Sequence, residues 1–121
     1  MEWVLKACWL FLALIHAAPA AVLFSPGLTE RLYGLPAEGT AGLLLIHRGA
    51  LFLAVLAAAL VAAFSPEARR VAALVVGISV VGFLIVYVRM GLPEGALRTV
   101  ALVDAAALLP LALVAWSAWR G

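Results

Sequence analysis

Four apolar stretches, residues 3–24, 41–64, 68–90 and 97–119, fill almost the whole chain. Hydrocarbon offers no water to backbone N–H and C=O groups, so uninterrupted apolar runs of this length are confined to helix. At 1.5 Å per residue each run reaches about 33 Å, against roughly 30 Å of bilayer core. The breaks between them carry turn chemistry: Ser25-Pro26-Gly27, Ser65-Pro66-Glu67 and Gly91-Leu92-Pro93-Glu94-Gly95. Ser65 ahead of Pro66 reads as an N-cap with proline at the first helical position. Residues 1–121 therefore read as a single transmembrane domain of the all-α class, a four-helix up-down bundle with both termini on one side.

Composition closes the other routes. Hydrophobic residues make up 68% of the chain and only 12% are charged, and mean hydropathy is +1.22. No polar stretch is long enough for a soluble domain. The eight basic residues are scattered, mostly at the ends of apolar runs. That placement suits lipid headgroups and excludes nucleic acid as a partner. Seven of the eight are Arg, which with the excess of Ala fits a GC-rich bacterial genome and a bacterial inner-membrane location. Cys8 is the single cysteine, so an internal disulfide and a cysteine metal site are both excluded. Lys6, the apolar stretch after it and Ala18-Pro19-Ala20 resemble a signal peptide, but the stretch continues through Phe24. We therefore expect an uncleaved first span, kinked near loop one where Pro19 removes one helix bond.

Trp3, Trp9, Trp116 and Trp119 gather toward the two termini, as an interfacial aromatic belt would. In the first loop, Leu28 to Tyr33 has the composition of a short helix lying on the membrane surface. Small residues recur every fourth position at Ala50, Ala54, Ala58 and Ala62, and at Ala13, Ala17 and Ala21. Such stripes let helices approach closely, at a bundle centre or between the subunits of a homodimer. Lys6, Arg69, Arg70 and Arg120 on the terminal side outnumber Arg31, Arg89 and Arg98 opposite, which places both termini in the cytoplasm.

Strongly polar residues inside the runs are the pointer to function. Each Arg or Asp at a helix centre costs on the order of 2.5–3.5 kcal/mol by insertion scales, and such residues face a bundle interior or a wet cavity. Helices two and four both start on the loop-one side. Counting from those starts puts Arg48 and Asp104 at a matched depth of about 10 Å, with His47 one residue shallower. His16 lies at about 12 Å on the helix that ends at that surface, and Tyr87 and Arg89 close helix three there. His16, His47, Arg48, Tyr87, Arg89 and Asp104 thus form a candidate buried polar or ligand-binding site in one half of the bundle. An Arg48–Asp104 or His47–Asp104 pair that locks two helices together explains the same pattern, as does Arg48 snorkelling to the surface.

Two histidines on neighbouring helices also meet the minimal requirement for bis-imidazole haem ligation, and His16, His47 and Asp104 form an acceptable ligand set for a metal ion. Nothing else marks either site, so the sequence implies no cofactor. No nucleophile with a base at readable spacing, no phosphate-binding glycine loop and no H-E-x-x-H is present, which argues against an enzyme. Ser79 and Ser117 are expected to bond back to carbonyls of their own helices.

Several segments in order resemble a family of small bacterial four-helix membrane proteins of uncharacterised role, DoxX-like in kind. These are Ile15-His16-Ala17-Ala18-Pro19, Glu30-Arg31-Leu32-Tyr33-Gly34-Leu35, His47-Arg48-Gly49-Ala50-Leu51-Phe52 and Leu97-Arg98-Thr99-Val100-Ala101-Leu102-Val103-Asp104. The family commonly has Asn or another polar residue where this chain has His16. The resemblance implies four helices and a membrane location, and an accessory or respiratory-chain-associated role by analogy of fold alone. The readings carried forward are a non-enzymatic membrane protein that binds a small ligand or a membrane partner, a dimeric solute or proton transporter, and a haem- or quinone-associated redox subunit. In each, the partners are the lipid bilayer and either a second copy or a larger membrane complex in which the chain is an accessory subunit.

Overall fold

The structure, a computed structural model, describes residues 1–120. Its regular structure is all helical, with no strand among those residues. The first span is made of α1 (Glu2–Ile15) and α2 (Ala17–Ala21), and the first loop carries a short α3 (Leu28–Tyr33). The other three spans are α4 (Gly39–Phe64), α5 (Arg69–Arg89) and α6 (Ala96–Arg120). All four spans are long and apolar enough to cross a membrane, which makes this an integral membrane protein. The first span packs on α4, α4 on α5, α5 on α6, and α6 returns to α1, so the bundle closes as a ring of sequential neighbours.

The expected first helix, 3–24, is not continuous. It breaks at His16, whose N–H bonds the Ala13 and Leu14 carbonyls instead of stepping back four residues. Pro19 supplies the reason. It has no N–H to give to the Ile15 carbonyl, and its ring crowds that carbonyl, so the regular ladder fails one turn before the proline. The ladder resumes with Ala20 N–H on the His16 carbonyl at 3.0 Å. At the second turn, Pro66–Ala68 forms a 3-10 turn leading into α5, and the Ser65 hydroxyl makes no capping bond.

The core lies in the half of the bundle nearest the termini. Leu12, Val76 and Val114 are fully buried there, together with Ala59, Ala62 and Ala63. Trp9 belongs to this core at 0% exposure, not to the aromatic belt. Trp3, Trp116 and Trp119 are exposed as a belt requires. The α4 stripe is also rotated from the expected one. Its buried line runs through Gly49, Val55, Ala59 and Ala62, whereas Ala54 is exposed and Ala50 and Ala58 are half-buried.

The opposite end is held by close backbone approach. A Cβ on Gly49 would sit 2.8 Å from the Leu23 backbone nitrogen and 3.3 Å from the Pro19 carbonyl oxygen. Glycine there lets α2 lie directly on α4, next to Arg48. The short α3 forms where expected, between Gly27 and a left-handed Gly34 at φ +72. It buries Thr29 and Tyr33 inward and packs on α6, so it closes the bundle end as well as lying on the surface.

Candidate functional site

Arg48, Asp104 and His16 reach the same place from three spans. They line one cavity of about 130 Å³ beneath α3, with Tyr33, Phe52 and Thr99 completing its wall. Arg48 is nine residues into α4 and Asp104 eight into α6, so both Cα atoms lie about 12–14 Å from the helix starts. A side chain on a helix leans toward the N-terminus, which carries the Arg48 guanidinium back up toward Tyr33 on α3.

That guanidinium is held by aromatic faces. Its central carbon lies 4.6 Å from the Phe52 ring centroid, 5.5 Å from Tyr33 and 5.7 Å from Phe83. Each contact is worth about 0.5–2 kcal/mol depending on desolvation. Rings orient the cation but accept no conventional hydrogen bond. Arginine has five N–H donors, and among the described residues none of those on Arg48 meets an acceptor. The Asp104 carboxylate makes no hydrogen bond either, and the ion pairs within 4.0 Å among the described residues are Glu2–Arg69 and Glu94–Arg98. Arg48 and Asp104 thus share a cavity without touching.

His16 is 2% exposed and has both ring nitrogens engaged. Nδ1 lies 2.7 Å from the Leu12 carbonyl, and a carbonyl only accepts, so Nδ1 carries a proton and donates it. In the neutral ring this leaves Nε2 to accept from the Ser79 hydroxyl at 3.0 Å. Ser79 therefore ties α5 to the break in the first span instead of bonding back into its own helix. The break itself makes this possible, because it turns the imidazole into the bundle, where it packs against Phe52 at 5.7 Å between centroids.

The remaining expected residues lie elsewhere. His47 is exposed, one position and about 100° around the helix from Arg48. Tyr87 is half-buried, stacks on Phe83 and donates its hydroxyl to the Pro93 carbonyl at 2.6 Å, which pins loop three. Arg89 is exposed at the end of α5. The two histidines thus stand apart, His16 bonded within the protein at both ring nitrogens and His47 exposed. Among the described residues no three His, Cys, Asp or Glu side chains gather to hold a metal ion.

Tyr33, Phe52, Phe83 and Ser79 are not singled out as site residues by the sequence. Phe52 does carry a signal, four residues after Arg48 and so on the same helix face. The others come from elements whose facing only packing decides. Set against known families, curated proteins and solved structures, the chain matches none of them.

Proposed function

We propose that this is a small non-enzymatic integral membrane protein whose loop-one end binds a small ligand or a membrane partner through the site around Arg48. One observation carries the reading. Arg48 and Asp104 face a common cavity with their hydrogen-bonding capacity unspent on protein. A charge kept below the membrane surface for stability alone is expected to be paired and saturated, because desolvation otherwise exceeds what it contributes. The nearby Ser79–His16–Leu12 chain of hydrogen bonds holds the His16 ring in the wall of the cavity. The loop charge bias supports both termini in the cytoplasm, the excess of Arg and Ala supports a bacterial inner membrane, and the DoxX-like resemblance supports an accessory subunit, with a homodimer as the alternative assembly.

Native mass spectrometry of protein released from its own membranes in mild detergent tests the reading. Wild type is expected to carry an additional non-protein mass, or a second polypeptide, that Arg48→Gln or Asp104→Asn releases. A bare chain in all three samples, or identical retention in all three, overturns it.

A further inference from the structure

A second and larger space begins where the small cavity ends. It is a groove of about 760 Å³ between α4 and α5, bounded by Leu45 and Val55 on one helix and Val75 and Val86 on the other. Arg48, Phe52 and Tyr33 belong to the linings of both spaces, so the guanidinium stands at the junction. Below that junction the groove is walled by aliphatic side chains and by Ser79, whose hydroxyl is bonded to His16, with Ala54 in the wall as a small, exposed residue. From Leu45 to Val55 it runs ten residues along α4, about 15 Å. Arg48 is the one charged side chain among those lining it; Asp104 lines only the small cavity behind.

We propose that this groove holds one acyl chain of an anionic phospholipid from the surrounding leaflet, with its phosphate at the Arg48 guanidinium. The assignment rests on the reading of Arg48 as an open cation. Charge complementarity decides the headgroup, because five unspent N–H donors and no carboxylate in the groove favour a phosphate oxygen and a net negative charge. Depth agrees. Arg48 leans from about 13 Å below the helix start toward the surface, where headgroup and acyl chain meet. Geometry decides the tail. The groove runs along the helices and is walled by apolar side chains apart from Ser79, whose hydroxyl is already bonded to His16. A chain entering sideways from the bilayer therefore leaves no polar group without a partner. The three aromatic rings keep the guanidinium at the groove mouth, so the site is set before the lipid arrives.

The test is lipid retention by the intact protein in detergent, with phosphatidylglycerol and phosphatidylcholine of identical chains as competing probes. Both lipids bring a phosphate to Arg48, but phosphatidylcholine also brings a cationic trimethylammonium beside the guanidinium, so wild type is expected to retain phosphatidylglycerol roughly tenfold over it. Arg48→Gln should bring the ratio to about one, while Arg89→Gln on the same membrane side leaves it unchanged. Ala54→Phe fills the groove without entering the core and should lower retention of both lipids. It decides the matter if Arg48→Gln does not fold. Equal retention by wild type, a preference that survives Arg48→Gln, or a preference lost equally in Arg89→Gln overturns the proposal. So does retention undiminished in Ala54→Phe, or a dimer mass that Ala54→Phe dissolves, which assigns the groove to a second copy. A small polar mass released by Asp104→Asn with no lipid preference removes the lipid while leaving the Arg48 site standing.

Discussion

The two ends of the bundle each hold an inward-facing arginine, and they treat it in opposite ways. At the terminal end Arg69 is 7% exposed and makes four hydrogen bonds to protein acceptors. Its two terminal nitrogens bond the two Glu2 carboxylate oxygens at 2.9 and 2.8 Å, and Nε donates to the Ala62 carbonyl at 2.7 Å. One terminal nitrogen also reaches the Ala63 carbonyl at 3.2 Å. Arg69 thus ties the start of α1 to the start of α5 and satisfies carbonyls left open in the last turn of α4. At the loop-one end Arg48 makes none of these bonds and stands among rings beside a cavity. The same residue type is a fastener in one place and an unspent donor in the other. Around Arg69 the helices meet over a packed apolar core; around Arg48 they part to leave two connected spaces.

The largest mutational effect is expected at the fastener. Arg69→Ala leaves the Ala62 and Ala63 carbonyls without their donor and frees the Glu2 carboxylate, which is exposed enough to be rehydrated. A loss of about 2 kcal/mol follows, discounted for that exposure. Thermal unfolding in detergent should show a clear fall in Tm for Arg69→Ala and a much smaller one for Arg48→Ala. The reverse order would mean that the two ends have been assigned the wrong way round.

Next comes the close contact that shapes the open end. Gly49→Ala places a Cβ 2.8 Å from the Leu23 backbone nitrogen, where no flexible side chain can give way. Overpacking of this kind costs about 1–3 kcal/mol, from which the better helix propensity of Ala returns up to about 1. A net loss of about 1 kcal/mol in detergent is expected, accompanied by weaker lipid retention because α2 is pushed away beside Arg48. Gly77→Ala has open space and no positive φ, so it should be neutral or slightly stabilising and serves as the control.

The smallest effect concerns coupling within each pair. A double-mutant cycle on Glu2 and Arg69 should give a small favourable coupling, as a bidentate pair with one exposed partner does. The cycle on Arg48 and Asp104, which lie more than 4.0 Å apart by the absence of an ion pair between them, should give less. A larger coupling at Arg48 and Asp104 would turn that pair into a helix lock and remove the basis for an open site.

Depth along the membrane is legible in the order of residues. Counting from each helix start places Arg48, Asp104 and His16 in one half of the bundle, and the cavity that unites them lies there. Which way each residue faces is not legible. The spans are apolar nearly all round, so no hydrophobic stripe marks an inner face, and His47 and Arg48 look equivalent until packing turns one outward. The small-residue stripe misleads for the same cause: with alanine on every side of α4, composition does not distinguish the line through Ala59 from the line through Ala54.

That the chain crosses a membrane four times as helices follows from the residues alone, because apolar length and the need to satisfy every backbone group inside hydrocarbon leave no other solution. The positions of the turns and the disturbance of the first span by Pro19 follow in the same way. Packing across the bundle settles the rest: Trp9 is core, Glu2 reaches Arg69 from 67 positions away, and Arg48 meets rings from α3, α4 and α5 in place of a carboxylate. Those outcomes depend on the rotation of each helix about its axis, which is set by the fit of side chains between neighbours and leaves little trace in a nearly uniform apolar run.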